Sequence, residues 1–165
     1  MSEPLDLDPV DRVTFGTIGP AGRRTFLLQA RSRGLLLTVK LEKAQVAALS
    51  QTLGKLLAEL PRPGTLSQDL ELEDPQEPAW AVGTLGVSYD EEGDRLLLVA
   101  EESIVGDEQG SMARLAMTRE QVAALAIRGA QLVEAGRPPC PLCGYPLDPR
   151  GHACPRTNGH RAPLL

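Results

Sequence analysis

Three cysteines and two histidines are the side chains best suited to holding a metal, and all five fall in the last 26 of 165 residues, beginning Cys140-Pro141-Leu142-Cys143-Gly144. Cys140 and Cys143 have the Cys-x2-Cys spacing that lets two sulfurs converge on one ion with backbone N–H groups behind them, and Cys154 supplies a third thiolate. Thiolates with an imidazole suit a borderline-soft, redox-silent ion held tetrahedrally, so zinc is the expected cofactor. The rival chemistry is a redox Cys-x-x-Cys pair. Pro141 and Gly144 instead give a metal-knuckle sequence, there is no βαβ context, and a third cysteine lies 11 positions further on.

The fourth ligand is a histidine. Ten residues separate Cys143 from Cys154, the interval of a short zinc ribbon whose second knuckle would be another Cys-x2-Cys, but Thr157 stands where the fourth cysteine would fall. His152 and Cys154 are two apart, and on an extended strand such residues project from one face. His160 would return through Asn158-Gly159, a turn that is easily made. The expected set is Cys140, Cys143, His152 and Cys154, with His160 as the alternative fourth ligand.

Residues 1–139 contain no cysteine or histidine, which removes the commonest nucleophile and base pairs from the body of the chain. Two other places could do chemistry. Gly16-Thr17-Ile18-Gly19-Pro20-Ala21-Gly22-Arg23-Arg24 could cradle an anion, since glycine-rich turns expose N–H groups and guanidinium groups pair with anionic oxygens. Its spacing fits neither a P-loop nor a dinucleotide fingerprint and no helix follows, so a hairpin turn is the plainer reading, with Arg23 and Arg24 as the candidate anion-binding pair. Asp90, Glu91, Glu92 and Asp94 lack the alternation of a calcium loop and read as a solvated turn; Glu101, Glu102, Asp107 and Glu108 read likewise. Trp80 and Tyr89 share a strand and read as packing residues.

Charge divides the chain. Of 17 basic and 22 acidic side chains, four arginines (137, 150, 156, 161) and one acid, Asp148, lie from Arg137 onward, leaving 13 basic and 21 acidic on residues 1–136. An acidic body disfavours nonspecific DNA or anionic-membrane binding, and only the basic tail leaves nucleic acid open. No basic-then-apolar leader stands at the N-terminus, and the apolar run near Leu35–Val39 is too short to cross a bilayer. A cytoplasmic, reducing location is expected, with no membrane partner.

The elements that must position these residues follow from periodicity. Strands are expected near Arg12–Gly19, Arg24–Arg31 and Leu35–Leu41, with glycine turns between them, then a helix over Lys43–Leu60 with Val46, Leu49, Leu53, Leu56, Leu57 and Leu60 on one stripe. Ala79–Tyr89, Asp94–Glu101 and Ser111–Met117 repeat the order. Thr118 and Gln121 then form a capping-box pattern for a helix with Val122, Leu125, Leu132 and Val133 inward. Phe15-Gly-Thr-Ile-Gly19 is echoed by Val82-Gly-Thr-Leu-Gly86, and Gln45-Val-Ala-Ala-Leu49 recurs as Gln121-Val-Ala-Ala-Leu125, which suggests an internal duplication. The predicted fold is α+β: two βββα repeats, each an antiparallel sheet covered by helices, plus a C-terminal zinc ribbon. The domains are a loose N-terminus over 1–9, a duplicated body over 10–136 with a proline-rich linker of little fixed structure over 61–78, and the zinc-ribbon-like module over 137–165.

Arg137-Pro138-Pro139-Cys140-Pro141-Leu142-Cys143, Pro146-Leu147-Asp148-Pro149, Gly151-His152, Cys154-Pro155-Arg156 and Asn158-Gly159 resemble the C-terminal signature of a bacterial family of unknown function found in actinobacteria and Chloroflexi. Gly16-Thr17, Gly22-Arg23-Arg24, Phe26, Leu28-Gln29-Ala30 and Leu41-Glu42-Lys43 are similar to its N-terminal pattern, so the resemblance runs nearly end to end. The resemblance implies no activity. It favours His152 as ligand, because the Gly-His-x-Cys histidine belongs to the signature whereas the position of His160 is often aromatic. The family's genes often neighbour a phosphomutase-like and a lipid-kinase-like protein, an association with phosphate metabolism.

The expected function is that of a noncatalytic, zinc-ribbon-containing interaction or adaptor protein with a protein partner. One alternative is a phosphate-chemistry enzyme or accessory protein using the Arg23–Arg24 turn, which a cavity at those residues would favour. The other is a nucleic-acid-binding module acting through the basic ribbon.

Overall fold

The computed structural model describes residues 4–20, 22–106 and 109–135. In chain order the elements are β1 (Leu5–Leu7), β2 (Arg12–Ile18), β3 (Thr25–Ser32), β4 (Leu35–Leu41), α1 (Lys43–Ala58), β5 (Trp80–Asp90), β6 (Arg95–Glu102), β7 (Met112–Met117) and α2 (Arg119–Ala135). The expected pair of antiparallel βββα repeats with a zinc ribbon is corrected by the strand pairing. All seven strands form one mixed sheet in the order β1-β7-β6-β5-β4-β3-β2, with parallel junctions at β4–β5 and β1–β7. A hairpin turn can only join antiparallel neighbours; the parallel junctions join strands that lie far apart in the chain, so turn signals do not reveal them. The residues assigned to the ribbon, 137–165, lie outside the described ones.

The sheet must curl. Seven strands laid flat would put the outer two about 29 Å apart at the usual strand spacing of roughly 4.8 Å. Yet β1 and β2 are joined by residues 8–11, a reach of at most about 18 Å. The joining residues touch both ends of the sheet: Val10 N–H donates to Ala116 O of β7 at 3.2 Å and Asp11 N–H to Arg31 O of β3 at 2.8 Å. The segment 1–9, expected loose, therefore contributes a strand and the buried side chain of Leu7.

Alternation along β2, β3 and β4 gives one apolar face, with Phe15 paired to Leu28 and Leu28 to Val39. The helices fill that side. Val46, Leu49 and Leu53 of α1 and Val122 and Leu125 of α2 are buried in the same cluster as Phe15, Val39, Leu96, Leu98 and Leu115. Both helices begin with the same pentapeptide, and its glutamine does the same two jobs each time. The Gln45 side chain accepts from Glu42 N–H (2.7 Å) and donates to Val82 O (3.0 Å); that of Gln121 accepts from Thr118 N–H (2.9 Å) and donates to Val10 O (2.7 Å). Each caps a helix start and ties it to the sheet, Gln45 through β5 and Gln121 through the β1–β2 connection. No described helix is long and apolar enough to cross a membrane.

The opposite face of β2–β3 is also covered. Residues 61–78, expected to have little fixed structure, form no helix or strand, but their stretch 69–75 runs across this face as a strap. Thr14 Oγ1 donates to Leu70 O (2.6 Å), Gln29 Nε2 to Glu73 O (2.8 Å), and Glu73 N–H to Gln29 Oε1 (2.8 Å). Leu72 lies against Gly16, where a Cβ would meet its side chain, and Leu27, the neighbour of Gly16 across the ladder, is fully buried.

Candidate functional site

The expected metal ligands Cys140, Cys143, His152 and Cys154, and the alternative His160, lie outside the described residues. Among the described residues no group of three or more His, Cys, Asp or Glu is placed to hold a metal. In the acidic turn before β6, Asp94 is held by neighbouring side chains. Tyr89 Oη donates to Asp94 Oδ1 at 2.8 Å and Arg119 donates to Asp94 Oδ2 at 3.3 Å, so both carboxylate oxygens are engaged. Glu102 accepts from Ser111 N–H at 2.8 Å, and Asp107 and Glu108 lie outside the described residues. Trp80 and Tyr89 pack against the core.

The Tyr89 hydrogen bond holds the Asp94 carboxyl below its ordinary 3.8 against desolvation, and the hydrogen bond and charge of Arg119 add to the lowering. Donation to Asp94, then desolvation, pushes the Tyr89 phenol above 10.0. A depressed acid contributes stability above its unfolded pKa that is lost as pH falls through the folded one; a raised phenol contributes stability below 10.0 that is lost as pH rises through its folded value. Tyr89→Phe is therefore expected to lower the urea midpoint at neutral pH. Its difference from the parent should shrink below pH 3.8 and beyond pH 10.0. A pH-independent difference would mean that the phenol acts through packing alone.

The candidate anion site has a definite place. Arg23 N–H donates to Pro20 O at 2.9 Å, closing the β2–β3 turn, and Gly19 and Gly22 take positive φ, +94° and +85°, as such a turn requires. Beside it lies an open cavity of about 280 Å³ between the start of β3 and the junction of β4 with α1. Arg24 and Thr25 line one side; Lys40, Glu42 and Lys43 line the other, with Phe26 also in the wall. Arg23 is exposed and does not line the cavity.

Lys40 and Lys43 are the functional candidates that sequence reasoning misses. The signal was present in the hairpin register. With Ser32 opposite Leu35 and Phe26 opposite Leu41, the ladder brings the start of β3, next to Arg24, beside the end of β4, where α1 begins at Lys43. Lys40 faces away from the helix side, because its neighbours Val39 and Leu41 are the buried ones. Arg12, Arg31, Arg114 and Arg119 are each paired with a carboxylate, whereas no such pair is formed by Arg24, Lys40 or Lys43 among the described residues. The cavity thus gathers three cations, none of them ion-paired among the described residues, with one acid, Glu42, in a body with more acids than bases.

A protein-family model described as a protein of unknown function matches residues 5–154 of the chain. No curated protein matches it.

Proposed function

The chain belongs to the DUF3090 family of proteins of unknown function, and from that premise we propose that it is a noncatalytic interaction protein whose tail is organised by one zinc ion. The observation that carries this reading is the segregation of donors: every cysteine and histidine of the chain lies beyond Pro139, after a body that has none. Three thiolates and one imidazole form a donor set that suits zinc, and four protein ligands leave no open position for a reacting water, which is the mark of a structural site. Zinc here would supply folding free energy to a segment too short to bury a core of its own.

Cys140, Cys143, Cys154 and His152 are the proposed ligands. The family match ends at Cys154, taking in all four and leaving His160 outside, which favours His152. The tail's arginines, 137, 150, 156 and 161, then supply positive charge for an acidic surface on a protein partner.

Protein purified without added metal is expected to carry one zinc per chain by elemental analysis; no zinc, or mainly iron, would defeat the proposal. His152→Ala should release zinc to a competing chelator much faster than His160→Ala, and the reverse ranking would move the fourth ligand to His160. The interaction role is tested by capture from native extract before and after nuclease treatment. A partner retained after nuclease and lost with Cys140→Ser is the expected result. Loss on nuclease treatment would point to nucleic acid instead.

A further inference from the structure

We infer that the cavity between the β2–β3 turn and the β4–α1 junction is a binding site for a small ligand carrying a dianionic phosphate group. Three residues with cationic side chains line it: Arg24 at the start of β3, and Lys40 and Lys43 on either side of the strand-to-helix junction. Like charges gathered across neighbouring strands repel one another, and among the described residues none of these three is ion-paired with a carboxylate. Among the described lining residues Glu42 is the one acid, leaving a net charge of about two to be met from outside.

The chemistry of the wall selects the anion. A guanidinium offers paired donors to two oxygens of one phosphate, and two ammonium groups offer further point charges. Phosphate monoesters carry a charge of about −1.5 to −2 at neutral pH, matching the excess, whereas a single carboxylate brings half of that. Thr25 adds a hydroxyl that can donate or accept, and the buried ring of Phe26 gives an apolar surface for a small organic group. Gly22 stands at the rim, and a Cβ there would meet nothing within 4 Å, so the mouth is open. At about 280 Å³ the cavity sits at the lower end of ligand-pocket volumes, which suits a phosphate with a few further atoms rather than a nucleotide.

The described lining residues all belong to the body, so this inference does not rest on the zinc reading of the tail. The test is amide chemical-shift titration of the full chain with inorganic phosphate and, separately, with glycerol 3-phosphate, at constant ionic strength. Saturable shifts centred on Gly22, Thr25 and Leu41 are expected. Arg24→Gln and Lys40→Gln should each weaken binding about tenfold, as expected for loss of a charge-assisted hydrogen bond. Lys40 and Lys43 are both exposed, so Lys40→Gln and Lys43→Gln leave the fold intact and separate loss of binding from loss of structure. Tighter binding of glycerol 3-phosphate identifies an organic monoester as the ligand class, and equal binding identifies free phosphate. Shifts elsewhere in the protein, equal titration by malonate, or unchanged affinity in the Arg24→Gln/Lys40→Gln double variant would overturn the assignment.

Discussion

Gly129→Ala is expected to destabilise the protein by about 1–3 kcal/mol, although replacing a helical glycine by alanine ordinarily stabilises by roughly 1 kcal/mol. Gly129 is buried on α2 where that helix crosses α1. A Cβ added there would collide with Ser50 Oγ of α1 and lie 2.9 Å from Cδ2 and Cε2 of Phe15. Neither neighbour can yield freely, because Ser50 is buried in the helix contact and the Phe15 ring is fully enclosed. Overpacking therefore outweighs the backbone gain. Gly54 is the matched control: it is exposed on α1 and an added Cβ meets nothing within 4 Å, so Gly54→Ala should stabilise by about 0.5–1 kcal/mol. Thermal melts of the two variants should shift in opposite directions. A higher melting temperature for Gly129→Ala would show that the helices do not approach this closely.

Gln29→Ala should cost about 2–5 kcal/mol, a large effect for a polar residue in a strand. Its amide is 1% exposed and donates to Thr38 Oγ1 (3.1 Å) and Glu73 O (2.8 Å), while its oxygen accepts from Glu73 N–H (2.8 Å). Truncation leaves the strap's backbone groups without partners, at roughly 1–3 kcal/mol for each buried one, and opens a void beneath them. Asp69→Asn provides the contrast. That carboxylate pairs with Arg12 at 3.2 Å but is 78% exposed, so its loss should cost no more than about 1 kcal/mol. Denaturant unfolding ranks the two, and a glutamate-specific protease should cleave after Glu71 faster in Gln29→Ala. Equal stability of the two variants would mean that the strap is not anchored through Gln29.

Gln29 and Thr14 also show why the strap was not legible in the sequence. Polar residues alternating with apolar ones along a strand read as a solvated face, and a proline-rich acidic segment with few apolar residues reads as an untethered linker. Each reading fails because the other segment is its partner. The polar side chains on β2 and β3 bond the backbone of residues 70–73, more than 40 positions away. Arg24, Lys40 and Lys43 illustrate a milder case: the residues and the hairpin register were readable, but the cavity depends on how the β2–β3 turn stands against the start of α1.

By itself the sequence determined what is local. The stripe of Val46, Leu49 and Leu53, the reciprocal cap of Thr118 and Gln121, and the glycine turn before Arg24 follow from 3.6-residue periodicity, side-chain reach and backbone freedom, none of which needs a distant partner. The proposal of Cys140, Cys143, His152 and Cys154 as metal ligands also starts from residue type and spacing. Only the tertiary structure decided the parallel junctions β4–β5 and β1–β7, the recruitment of Leu5–Leu7 as a strand, and the single curled sheet in place of two antiparallel units. Backbone hydrogen bonds carry no residue label, so which strands become neighbours is settled by how the whole apolar face closes over α1 and α2.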